Sequence, residues 1–181
     1  MKKQFLCIVL IGVFLITISQ PYLRARINAS NAEATSEYII HKTPQIPPYQ
    51  EITSMVIEDG KIFLFFDAEG LVNVYSIDGV FQYALQVNSS TSGRGDIAYD
   101  DKKLYVFSRE NHMYVFEDQK LVQHVDVAKE KEKYLRYEDR LLSKEKNNVY
   151  EGEKYYLLKT VSMVTKVTAD GESVTVIDLQ E

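Results

Sequence analysis

The chain has one cysteine, Cys7, no tryptophan, four prolines and eight glycines in 181 residues. Without a second cysteine there is no internal disulfide, no Cys-based zinc site and no cysteine redox pair. The net charge is only −5, and no strand-rich segment is strongly basic, which excludes nucleic acid as the expected partner. Gly-x-Ser-x-Gly is missing, as is an Asp-x-Asp-x-Gly loop with a following Glu, and no acid–base set converges by spacing. The sequence therefore names no catalytic residue, no cofactor-binding residue and no metal ligand. What it has in abundance is 13 Tyr, 8 Phe and many Val and Ile, which favour strands over helices. A chain of this length suits one domain with a sizeable core.

The N-terminus stands apart. Lys2 and Lys3 precede Phe5 to Ile18, "FLCIVLIGVFLITI", and the uncharged stretch runs to Leu23 before Arg24 and Arg26. At 1.5 Å per helical residue the apolar run spans roughly 21 Å and the whole stretch roughly 28 Å. The first length suits a signal-peptide core, the second a thin membrane span. Small-x-small cleavage patterns occur at Thr17-Ile18-Ser19 and Ala32-Glu33-Ala34. Residues 1–23 are thus expected to be an anchor helix or a signal peptide, with an uncleaved anchor favoured and the body outside the cytoplasm. Residues 24–51 are small, polar and Pro-containing, and are expected to be a spacer. The triplets Asn28-Ala29-Ser30 and Asn88-Ser89-Ser90 match a glycosylation pattern, which arises often by chance.

From residue 52 onward the chain repeats itself. "VIEDGKIFLFF" from Val56, "IAYDDKKLYVF" from Ile97 and "VYEGEKYYLLK" from Val149 each give an apolar strand, a charged or Gly turn, a Lys and a longer aromatic strand. Second turns follow at Asp78-Gly79, Asp118-Gln119 and Asp170-Gly171. Asp-Gly between alternating runs marks a tight hairpin, because a primed turn needs positive φ. Asp118-Gln119 lacks the Gly, so its turn must be of another type. Four antiparallel strands per unit follow, near 54–58, 61–67, 71–77 and 80–87 in the first. A four-stranded meander recurring every ~42 residues is the pattern of a propeller blade. The expected fold is therefore all-β: three blade-like meanders (about 52–87, 95–127 and 147–180) forming a partial or open propeller, preceded by the N-terminal hydrophobic helix.

The second unit also resembles an NHL-type repeat. The resemblance rests on Ile97, the acidic turn Asp100-Asp101, Leu104 to Phe107, Asn111-His112, Met113 to Phe116 and Asp118-Gln119. It implies a blade fold and carries no functional residue over to this chain.

Between the second and third units lies a charged insert, residues 128–146. Across Ala128 to Asn148, Lys129, Lys131, Lys133, Arg136, Arg140, Lys144 and Lys146 outnumber the acids. Tyr134, Tyr137 and Leu141 fall on one helical face, as do Leu135 and Leu142. A helix is favoured over a long hairpin, laid on one end of the body and removable without loss of the β-fold.

Other candidates are weaker. His41, His112 and His124 share no ligand spacing. Arg94-Gly95-Asp96 spells an adhesion tripeptide, but reads better as entry to a strand. Asp67, Asp100 and Asp101 suit turns better than calcium. Phe63, Phe65, Tyr75, Tyr83, Tyr105, Phe107, Tyr114, Phe116, Tyr155 and Tyr156 are expected to pack between blades rather than to stack on sugars.

Together these readings point to a non-enzymatic, membrane-tethered module of a bacterial envelope. It would bind a protein or envelope ligand through residues 128–146 and touch the membrane through 5–23. The rivals are a secreted propeller-type enzyme or enzyme subunit, and a remnant of a longer six-bladed protein. Three blades are too few for ring closure; the alternative to a monomeric open arc, its ends covered by the spacer or the charged insert, is a six-bladed two-fold homodimer, the simpler solution. In it Phe63 and Phe65 of one chain would meet Tyr155 and Leu157 of the other.

Overall fold

The computed structural model describes residues 32–34, 38–47, 51–90, 92–144, 146–159 and 162–180. The chain divides into two compact units, Met1–Ala32 and Glu33–Glu181. The run Phe5–Ile18, with Cys7, and the Asn28-Ala29-Ser30 triplet lie outside the described residues, as do the anchor and signal readings attached to them. Among the described residues no helix is long and apolar enough to cross a membrane.

Among the described residues, three antiparallel sheets and one helix make up the fold. The first sheet is built on the meander β3 (Ser54–Glu58), β4 (Lys61–Phe66), β5 (Leu71–Ser76) and β6 (Phe81–Val87). Its edge is extended by β2 (Tyr38–His41) and β1 (Ala32–Ala34), giving the order β1-β2-β6-β5-β4-β3. The second sheet is the meander β7 (Asp96–Asp100), β8 (Lys103–Phe107), β9 (His112–Glu117) and β10 (Lys120–Asp126). Helix α1 (Val127–Leu142) follows, and then the third sheet, β11 (Val149–Tyr150), β12 (Glu153–Leu158), β13 (Met163–Val167) and β14 (Ser173–Asp178).

The turns set these meanders. Asp59 and Gly60 both have positive φ, 50° and 68°, and close β3 on β4 with Glu58 opposite Lys61. Two positive φ values in a two-residue loop match the twist of the flanking strands. Asp101-Lys102 and Glu151-Gly152 repeat the device in the other sheets. At Asp118-Gln119, where no glycine is present, only Asp118 is left-handed. The β9–β10 register then slips between Leu121 and Gln123. The same slip occurs in the glycine-containing hairpins β5–β6, between Val74 and Tyr75, and β13–β14, between Val164 and Thr165, so it is common to the three units and does not follow from the missing glycine.

Packing follows from the strand period of two. Phe63 and Phe65 of β4 join Val72, Val74 and Leu85 against Ile97, Leu104, Val106, Tyr114 and Phe116 of the second sheet. Their neighbours Ile62, Leu64 and Phe66 join Leu71, Tyr75 and Ala84 against Tyr155, Val164 and Ile177 of the third. The unbroken apolar run of β4 is thus a strand buried on both faces. The second sheet's outer face, with Ala98, Tyr105, Phe107, Met113, Val115 and Val125, is covered by Tyr134 and Leu141 of α1. The layers run third sheet, first sheet, second sheet, helix.

This order corrects three expectations. Phe63 and Phe65, at 2% and 0% exposure, and Tyr155 at 1% are buried between sheets of one chain, and Leu157 packs into the same core as Tyr155. They do not form an intermolecular contact, because the third sheet stacks on the free face of its own first sheet. The charged insert is a helix, as favoured, and it does not merely lie on one end of the body: Tyr134 and Leu141 close an apolar core with the second sheet. Within the stretch read as a spacer, Tyr38–His41 pair with β6, and Ile40 enters the core between the first two sheets. The chain then returns past β5, where buried Asn73 donates to the Gln45 carbonyl at 2.6 Å.

The first strands of the three units also gather at one edge. Ile57 N of β3 donates to the Asn147 carbonyl at 3.2 Å, and Lys146 bonds Ser54 of β3 and Asp96 of β7.

Candidate functional site

Helix α1 owes its position to its start and its apolar stripe. Asp126 caps it, its side chain accepting from Ala128 N at 2.9 Å, and that bond holds the carboxyl below the ordinary range. A break at Glu130 (φ −131°, ψ 43°) re-aims the helix. Tyr134 and Leu141, two turns apart, then both turn onto the second sheet. Tyr134 meets Phe107 edge to face, with centroids 5.6 Å apart. Burial pushes the Tyr134 hydroxyl up to about 12, helped by Glu138 beside it.

With that stripe fixed, the flank of α1 is fixed too. Lys133, Arg136, Tyr137 and Arg140 line an open pocket of about 380 Å³. Tyr137 is its floor. The ring lies 5.8 Å from Tyr105 of β8, and the Arg140 guanidinium sits 5.3 Å from its centroid, a cation–π distance. Arg140 and Lys144 both reach Asp100 at 3.4 Å. Lys133 pairs with Glu130 at 2.8 Å, and Arg136 Nε donates to the Glu132 carbonyl at 3.4 Å. Among the described lining residues the three charged ones are cations. Chemically the pocket can hold an oxyanion over an aromatic face.

The other candidates are placed as follows. Arg94-Gly95-Asp96 leads into β7. Asp96 accepts from Ile97 N at 2.8 Å and pairs with Lys146. A Cβ on Gly95 would stand 2.8 Å from the Phe107 carbonyl oxygen. The tripeptide is strand entry, as favoured. Asp100 and Asp101 lie at the β7–β8 turn, with Asp101 paired to Lys103 at 3.5 Å. Of the ten aromatic residues expected to pack, Tyr156 alone is exposed, at 41%, on the third sheet's outer face. Among the described residues no group of three His, Cys, Asp or Glu could hold a metal ion.

Two constellations were not foreseen from the sequence. Asp67, 5% exposed, pairs with Arg109 Nη2 at 2.7 Å, joining the loop after β4 to the loop after β8. No local signal links positions 67 and 109. His112 and His124 were read as separate, yet His112 Nδ1 lies 2.9 Å from His124 Nε2. His124 in turn stacks on Tyr114 at 4.6 Å. A signal existed here: a hairpin centred on Asp118-Gln119 brings residues near 112 and 125 opposite each other, and the register slip sets His112 against Asp126. His41 is elsewhere, bonded to Gln86 through Nε2 at 2.9 Å.

Comparisons of the chain with protein-family models, with curated proteins and with solved structures find no match.

Proposed function

We propose that this protein is a non-enzymatic binding or scaffold module of a bacterial envelope, held at the membrane by residues 5–23, with its body outside the cytoplasm. In this reading the three meanders are blades of an open propeller arc. Their face-to-face stacking and the gathering of β3, β7 and the approach to β11 at one edge support that reading, as does the likeness of residues 95–127 to an NHL-type repeat. The arc serves as scaffold, and α1 is its contact element.

The observation that carries the binding role is the flank of α1. A helix needed only to close the second sheet requires Tyr134 and Leu141. This one also holds Tyr137 between Tyr105 and Arg140 and surrounds it with cations. Such a preformed, half-exposed aromatic floor suits recognition. The placement is tested by adding protease to intact spheroplasts: degradation of the body without lysis is expected. Full protection until lysis would overturn the extracytoplasmic reading.

A further inference from the structure

We propose that the α1 pocket is a phosphate site, taking a small phosphate monoester or the same group on a lipid headgroup; this deepens the binding reading above and rests on it. Three observations converge. The first is charge. In a chain of net charge −5, the three charged groups that line this pocket among the described residues, Lys133, Arg136 and Arg140, are all positive. Helical spacing of three and four residues puts them on one side, so their charges sum at one point.

The second is valence and geometry. Arg136 and Arg140 stand four apart, a like-charge pair that is unfavourable when empty and is relieved by a dianion. Arginine forks match phosphate oxygens bidentately, and Lys133 adds a point charge. Arg136 is exposed and is held only through Nε, so its terminal nitrogens remain available. The present partners of the other two, Glu130 and Asp100, are monoanionic carboxylates at 2.8 and 3.4 Å. A phosphate dianion competes with them on charge.

The third is preorganisation and size. Tyr137 is pinned between Tyr105 and Arg140, so the floor exists before a ligand arrives, which lowers the ordering cost of binding. A volume of about 380 Å³ is at the small end of ligand sites, which run roughly 300–1,000 Å³. That holds a phosphate with a small polar body on the Tyr137 ring.

The test uses the full chain in non-ionic detergent, titrated with glycerol 3-phosphate at low salt, and the chain bound to phosphatidylcholine vesicles with and without phosphatidylglycerol. Saturable binding to either probe is expected. Arg136→Gln and Lys133→Gln should each weaken it roughly tenfold, with an unchanged circular-dichroism spectrum because both side chains are solvent-facing. Binding to the soluble ester assigns the site to a free metabolite class; binding to the anionic vesicle alone assigns it to a headgroup. No saturable binding to either, or binding indifferent to both substitutions, overturns the phosphate site. The spheroplast experiment fails independently. Phosphate binding by a cytoplasmic body would leave this site standing and sink the envelope reading. An extracytoplasmic body that ignores phosphate would do the reverse.

Discussion

The Asp67–Arg109 pair offers the sharpest energetic test of how the first two sheets are joined. Asp67 follows β4 and is 5% exposed. Besides Arg109 Nη2 at 2.7 Å, its carboxylate meets Gly95 N at 3.4 Å. Its carbonyl accepts from Ser89 Oγ at 2.8 Å and Gly70 N at 3.3 Å. Arg109 has a side chain 20% exposed, and its Nε is buried without a hydrogen-bond partner. Replacing Asp67 by Asn keeps the shape and removes the charge, stranding the guanidinium. Breaking a buried pair costs about 3–5 kcal/mol, and the fifth of Arg109 that still reaches water reduces this to roughly 2–3 kcal/mol. For a chain of this size each kcal/mol lowers Tm by about 2–4 °C, so a fall of roughly 4–12 °C is expected. The assay is urea unfolding followed by circular dichroism on Asp67→Asn, Arg109→Met and the double variant. Removing both charges should recover much of the loss, because no buried charge is then left without its partner. A loss below ~1 kcal/mol for Asp67→Asn, or no coupling in the cycle, would refute the reasoning. The apolar core between the sheets would then be holding the joint alone.

Deleting residues 127–142 and closing with a glycine linker should uncover Tyr105, Phe107, Met113 and Val115; reduced β-signal or aggregation is expected, and a fully native, monomeric product would contradict the helix's role as a lid. Burial pushes Tyr75 and Tyr83 up to about 12, with Asp118 adding to Tyr83. Both stay neutral in the fold while unfolded tyrosine ionises near pH 10. Their stability contribution is therefore intact below about pH 10 and is lost as pH climbs to about 12, at ~1.4 kcal/mol per pH unit for each. Tyrosinate absorbance rising well before unfolding would contradict this. We further propose a two-fold dimer, through the third sheet's outer face with Tyr156 and Leu158 exposed at 41% and 44%, since α1 blocks stacking at the other end of the layers. Four strands ~4.8 Å apart, none longer than ~20 Å and β11 only two residues long, cover at most about 400 Å² per partner, so association should be weak. Light scattering should show a concentration-dependent dimer that Leu158→Glu abolishes, and a monomer at every concentration would remove it.

Strand order within each unit was legible because two local signals agree. Asp59-Gly60 and Glu151-Gly152 fix where the chain reverses, and period-two patterning fixes what each face carries. The stacking of the units was not legible in the same way. "KIFLFF" declares a strand buried on both sides, but says nothing about which sheet covers which face. Chain continuity suggests first, second, third, and the structure has third, first, second. The reason lies in α1: once Tyr134 and Leu141 occupy the outer face of the second sheet, the third meander cannot stack there.

Only the first sheet's face of Ile62, Leu64 and Phe66 remains for it, and the pattern of the third unit is consistent with that place. Tyr155, Val164 and Ile177 give it one apolar face, while Lys154, Tyr156 and Thr165 mark the other as a boundary. The pocket follows the same logic. Its cations at 133, 136 and 140 were countable in the sequence, but their meeting over Tyr137 depends on which stripe of α1 the second sheet claims. Because Tyr134 and Leu141 are claimed, Tyr137 is left at the rim, half-buried against Tyr105, and the cations beside it must face outward. The burial that holds the second sheet together thereby creates the positively charged surface from which the binding role is argued.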